Sequence, residues 1–155
     1  MKPARMQLLT ILQAALVTRA DVVALESEMR KLPQIDIPVR HYFSKGLYVR
    51  AISLPKGAIT VGKIHKHECI SILAKGERST LVDGRIVRVS AGFIQVTPPG
   101  FKRASFTHED SVWVTAHATE ERDIAKLEDE LVCETERDYQ DFCRVIEAEA
   151  AHCLS

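Results

Sequence analysis

The chain has 155 residues, 46% of them hydrophobic and 27% charged, with a formal net charge of zero. That is an ordinary globular composition, long enough for one domain with a real core, and no stretch of it is low-complexity. The zero hides an asymmetry: residues 1–118 carry 17 Lys/Arg against 9 Asp/Glu, and residues 119–155 carry 4 against 12. The cations are spread over several segments rather than gathered in one run, which argues against nucleic-acid binding. The four cysteines, Cys69, Cys133, Cys143 and Cys153, form no Cys-x-x-Cys pair and no secreted disulfide framework. A reducing cytoplasm fits them best.

At the N-terminus, Lys2 and Arg5 precede "LLTILQAALV" (8–17). Thr10 and Gln13 interrupt the run, no clean small-x-small cleavage site follows, and it is too short to span a bilayer. It reads as a helix over about 4–17, buried by the domain or by a partner subunit. Asp21 is placed to cap a second helix, with Val22, Leu25, Met29 and Leu32 as its apolar stripe. Pro33 and Pro38 stop helical structure, closing an N-terminal helical segment at 1–32.

From 39 to 118 the texture is β. "GLYVRAISL" (46–54), "AITVGKI" (58–64) running into "HKHECISILA", "RSTLV" (78–82), "RIVRVS" (85–90), "FIQVT" (93–97) and "SVWVTAHA" (111–118) are strand candidates. "PKG", "KGE", the hairpin signal "VDGR" (82–85), "SAG" and "TPPG" punctuate them. Many short strands at this spacing point to a β-sandwich or barrel over 33–118. Residues 119–155 read as acidic helices. Thr119 is the expected N-cap of the first, over 119–132. The second starts near 135 with Tyr139, Phe142, Val145 and Ile146 as its stripe.

"HKHEC" (65–69) carries the most chemistry. On a regular strand His65, His67, Cys69, Ser71 and Leu73 share one face, and Ile64, Lys66, Glu68, Ile70 and Ile72 the other. A mostly polar face backed by an apolar one suits a barrel with a ligand pocket, the apolar side facing out beneath helices. Two imidazoles at i, i+2 can converge on one divalent transition metal, with Cys69, Glu68, His108 or His117 completing its shell. The alternative is a polar pocket for an organic ligand, or hydrogen-bonded histidines. Lys102 and Arg103 follow the Pro-Pro-Gly turn as two cations for a carboxylate or phosphate, or as solvated charge. Trp113 shares parity with Thr115 and His117, as a pocket wall or as core.

"GKIHKHECISILAKGE" followed by "AGFIQVTPPGFKRASFTHED" resembles the cupin superfamily. His65, His67 and Gly76 fall on its first motif, with Glu68 as an early Glu, and Gly92, Pro98 and Gly100 on its second. Arg103 stands where that motif has a metal-ligating histidine. "GLYVRAISLPKGAITVGKIHKHE", "PPGFKRASFTHEDSVWVTAHAT" and "LEDELV" look like small cupin-like proteins of tailed bacteriophages, over roughly 33–132; a histidine is expected there in place of Cys69. The resemblance implies a mainly β fold, a cupin-like jelly-roll barrel flanked by helices, that often pairs into homo-oligomers. Three functions stay open. The chain is a non-catalytic binder of a small anionic ligand, with Cys69, Ser71, Lys102, Arg103, Trp113 and His117 as contacts. Or it is an interaction module acting through an oligomer. Or it is a metal-dependent oxygenase or isomerase with His65 and His67 as ligands, although no general acid/base pair is evident.

Overall fold

The computed structural model describes residues 16–153. The expected helix over 4–17 therefore lies almost wholly outside the described residues. The first helix described is α1 (Arg19–Met29), capped by Thr18 rather than Asp21. Asp21 sits one turn in and closes a capping box: its carboxylate accepts from the Thr18 N–H at 2.7 Å, and the Thr18 hydroxyl accepts from the Asp21 N–H at 3.3 Å.

Eleven strands follow among the described residues: β1 (Val39–Ser44), β2 (Leu47–Leu54), β3 (Ile59–Val61), β4 (Ile64–His65), β5 (Cys69–Lys75), β6 (Glu77–Val82), β7 (Arg85–Ser90), β8 (Ile94–Thr97), β9 (Ala104–Thr107), β10 (Ser111–Ala118) and β11 (Val132–Cys133). One antiparallel sheet has the order β1-β2-β10-β5-β8 and the other β3-β9-β6-β7. Setting aside the extra edge strand β1 and the small β4–β11 ribbon, eight strands remain. Numbered along the chain, they run 1-8-3-6 in one sheet and 2-7-4-5 in the other, which is the double-sheet jelly roll. Its tightest hairpin is the "VDGR" turn between β6 and β7, with Asp83 at φ 49° and Gly84 at φ 75°, the left-handed pair a type I′ turn needs.

Both sheets of this sandwich turn many polar side chains inward. On the four-stranded sheet Leu81, Ala104, Ile59, Val61, Ile86 and Phe106 face out and are covered by Val22, Leu25 and Met29 of α1. A second apolar cluster, Leu54, Leu73 and Trp113 with Ile52, Val89 and Phe93, fills one end of the interior. α2 (Ile124–Leu131) lays Leu127 and Leu131 on Tyr48, with Phe43 and Val132 alongside.

Four expectations are corrected here. "HKHECISILA" is not one strand: β4 ends at His65, and the chain bends through Lys66–Glu68 before β5 begins. The helix expected over 119–132 starts at Ile124. Its cap is Asp123, whose carboxylate accepts from the Ala125 and Lys126 N–H groups at 2.9 and 3.4 Å. Thr119 instead donates its hydroxyl to Glu130 at 2.6 Å. No described helix covers the outward residues of β5, where Ile70 is 37% exposed. The last helix, α3 (Glu136–Cys153), uses half of its expected stripe: Tyr139 and Phe142 are partly buried, whereas Val145 and Ile146 are exposed.

Candidate functional site

The interior is graded from end to end by strand register. Trp113 and Leu73 pair across β10 and β5 at the apolar end. One inward step along, Thr115 faces Ser71, which faces Gln95, with Arg50 of β2 on the other side of Thr115. The next step brings His117 opposite Tyr48 and Cys69 opposite Thr97.

Two arginines reach into this space. Arg103 is buried, and its guanidinium donates to the Leu81 carbonyl at 3.0 Å, Gln95 Oε1 at 2.9 Å and Thr97 Oγ1 at 2.9 Å. Arg78 enters from β6, is 1% exposed, and donates from Nη2 to Thr60 Oγ1 at 2.8 Å, while its Nε has no partner among the described residues. Both lie against the Trp113 ring, at 5.3 Å for Arg78 and 4.9 Å for Arg103. Among the described residues neither pairs with a carboxylate. Burial pushes both guanidiniums down to about 10, still protonated at neutral pH, with Arg103 adding to the effect on Arg78. Buried cations are ordinarily paired with anions, so this arrangement is unusual.

At the other end His65, Cys69 and His117 place one ligand-type atom each within 4.8 Å of one another. The two rings stack with centroids 5.8 Å apart, and Tyr48 stacks on His117. Cys69 Sγ is 3.6 Å from His65 Nδ1. Two ligands of one tetrahedral zinc, at bonds of about 2.3 and 2.0 Å, would stand about 3.6 Å apart. His117 Nδ1 is buried without a partner among the described residues. Burial pushes both imidazoles down to about 4, helped at His65 by His117, Arg103 and Arg50 and at His117 by Arg50 and His67. They are therefore neutral, the form that ligates. Burial also raises the Cys69 thiol, against the lowering effect of Arg103.

His65 owes its position to distant chain. Its N–H donates to the Phe101 carbonyl, its carbonyl accepts from Gly100, and it pairs with Val132 of β11. That pairing breaks the regular strand, so His67 leaves the shared face. His67 is exposed, its ring edge-on to Phe142 at 5.5 Å, and it is not in the cluster. Glu68 is exposed as well, and neither it nor His108 is in that cluster. His108 lies beyond the opposite end of β10, bonded to Ser79 at 2.8 Å, in a depression of about 380 Å³ lined also by Lys56, Glu77, Arg88 and Thr107. Lys102 is buried outside the interior, where it pairs with Glu26 of α1 at 3.0 Å and donates to the Gly62 carbonyl. Ser71 is buried and shares a 2.8 Å hydrogen bond with Thr97. Sequence reasoning missed Arg78, although strand parity alone puts Arg78 and Thr80 on one face of "RSTLV" and Leu81 on the other.

The barrel is similar to solved cupins. KdgF from Halomonas sp. shares 20% identity, with 59% of this chain and 88% of that chain covered, at a TM-score of 0.49. An RmlC-like cupin from Shewanella frigidimarina shares 24%, with 56% and 78% covered, at 0.48. An RmlC-like cupin family protein with a double-stranded β-helix fold from Methanocaldococcus jannaschii shares 18%, with 55% and 82% covered, at 0.45. No family model and no curated protein matches the chain. The fold itself rests on the strand order described above.

Proposed function

We propose that the barrel binds a small anionic molecule between its sheets. One observation carries this: Arg78 and Arg103 are buried side by side on Trp113 with no carboxylate partner among the described residues. A carboxylate or phosphate would supply the missing charge and an acceptor for Arg78 Nε. Arg50, exposed yet on the inward face, would stand at the entrance. Ser71 and Thr97 would offer hydroxyls. Sequestration of a host small molecule by a phage-encoded copy extends this reading on sequence resemblance alone.

A second reading has its own support, the close approach of His65, Cys69 and His117 and the unpartnered His117 Nδ1. These two nitrogens and one thiolate suit zinc or another borderline-soft divalent metal, which would supply Lewis acidity and leave a position open. The oxygenase or isomerase alternative would require such a metal.

One set of titrations separates the two. Unfolding in chelator, with inorganic phosphate or citrate added, should show a rise in midpoint that Arg103→Gln and Arg78→Gln each remove. A wild-type midpoint indifferent to every anion tried would defeat the first reading. Cobalt(II) titration should give a thiolate charge-transfer band that Cys69→Ser abolishes. No band in the wild-type protein would defeat the second.

A further inference from the structure

Across β3, β9 and β6 the inward side of the four-stranded sheet is polar, row after row. Arg103, whose carbonyl accepts from the Gly62 N–H at 2.9 Å, stands at one end. Thr60, Ser105 and Thr80 form the next row. Thr107 and Arg78 face each other in the third. Both arginines reach toward the middle row. Arg78 crosses β9 to Thr60 on β3, and Arg103 donates to Thr80 Oγ1 at 3.4 Å and to the Leu81 carbonyl. Ser105 and Thr80 share a 2.8 Å hydrogen bond. Thr107 is fully buried and its backbone pairs with Gly57 and Ala58, but its hydroxyl has no partner among the described residues. Its register partner Arg78 carries the open Nε. Two neighbouring buried polar groups are thus left open beside two uncompensated cations, although the hydroxyls of Thr60, Thr80 and Ser105 are all bonded.

Resting on the anion-binding reading above, we propose that the group held here is a phosphoryl dianion, free phosphate or a phosphate monoester, bound by Arg78 and Arg103 with Thr107 as the selecting hydroxyl. Charge is the first reason. Arg50 is exposed to solvent, and burial keeps His65, His117 and the Cys69 thiol uncharged, so the two guanidiniums set the charge of the interior. A monocarboxylate would leave one of them uncompensated at low dielectric. A phosphoryl group carries about −1.5 to −2 charges and three strong acceptor oxygens. Direction is the second reason. A carboxylate accepts near its own plane, whereas tetrahedral oxygens accept from several sides. The donors come from several sides here: Arg78 and Thr107 lie on the four-stranded sheet, and the Arg103 head leans across to Gln95 and Thr97 of the other. One phosphoryl oxygen beside Arg78 Nε would accept from Thr107 as well, so a single group closes both open positions.

The test is the unfolding midpoint of the full chain in chelator, at pH 8 and fixed ionic strength, titrated with inorganic phosphate, phenyl phosphate, malonate and acetate. The rise in midpoint with concentration gives each affinity. Phosphate or phenyl phosphate should bind at least tenfold more tightly than malonate or acetate, and the tighter of the two tells a free ion from an ester. This arm needs only the wild-type protein. Thr107→Val keeps the shape and removes the hydroxyl, so it should weaken phosphoryl binding about tenfold or more, and Thr107→Ser should keep it. Malonate or acetate binding as tightly as phosphate would overturn the inference and leave the anion-binding reading standing. So would a Thr107→Val protein with wild-type phosphate affinity. A wild-type midpoint that no anion moves would defeat that reading itself, and the inference with it.

Discussion

Replacing Arg78 with methionine should make the ligand-free protein more stable. Burial lowers this guanidinium from 12.5 to about 10. At about 1.4 kcal/mol per unit, holding the charge in the folded interior costs about 3.5 kcal/mol. The side chain recovers part of that through one hydrogen bond, to Thr60, worth about 1.5 kcal/mol, and through its contact with Trp113, worth about 1 kcal/mol. Nε recovers nothing. Methionine keeps most of the stem and removes the charge, so a gain of about 1 kcal/mol remains. Urea unfolding in phosphate-free buffer reads this as a midpoint about 0.5 M higher, at an unchanged slope of roughly 2 kcal/mol per M. Arg103→Met should go the other way. Its burial is similar, but its removal loses three hydrogen bonds, to Gln95, Thr97 and the Leu81 carbonyl, and the contacts with Trp113 and Phe101. At about 1.5 kcal/mol per bond and about 1 kcal/mol per ring, against about 3.5 kcal/mol of burial cost relieved, a net loss of about 2–4 kcal/mol is expected. Two neighbouring arginines thus shift stability with opposite signs. A loss above about 1 kcal/mol in Arg78→Met would refute the view that this charge is held for a ligand rather than for the fold.

Stability should also fall with pH, in chelator, through a window set by His65 and His117. Both are held near 4 in the folded chain against 6.5 in the open chain, so the unfolded state takes up protons first as pH drops. Stability is complete above about 6.5 and declines toward 4, by about 2 kcal/mol per ring at pH 5. A His65→Gln, His117→Gln variant should lose that slope, and an unchanged midpoint between pH 7.5 and 5 in the wild-type protein would contradict the burial argument. Gly76→Ala should cost about 2–4 kcal/mol in thermal or urea unfolding. Gly76 has φ 84°, and an added Cβ would lie 2.6 Å from the Asp110 carbonyl and 2.9 Å from Ser111 Cα. Gly57→Ala, at the same φ with nothing within 4 Å, should cost only about 1 kcal/mol, and equal losses would refute the steric account.

Local pattern carried the fold a long way. Strand spacing and turn residues pointed to a β-sandwich or barrel and to the β6–β7 hairpin, and alternation put Cys69, Ser71 and Leu73 on one inward face. Arg103, beside Lys102 in sequence, faces the interior while its neighbour pairs with Glu26, a choice fixed by a helix some seventy residues earlier. Alternation failed at "HKHEC" because it assumes an uninterrupted strand. The interruption comes from pairing with Val132 and from the Gly100–Phe101 turn, and neither is local to the motif. His117 joined the cluster in place of His67 for the same reason. The outward apolar side of β5 was legible as alternation, but whether a helix lies over it is a tertiary fact.

The β4–β11 ribbon has a consequence for the order in which the molecule is made. His65 is fixed by Val132, and its cluster mates are Cys69 and His117. A nascent chain stopped between His117 and Val132 holds all three side chains but lacks the strand that pairs with His65. The jelly roll can begin to close as its last strand emerges, but the imidazole–thiol cluster is set only after translation has run some fifteen residues past His117. Metal capture as proposed for that end would therefore depend on the β4–β11 ribbon as well as on the barrel strands.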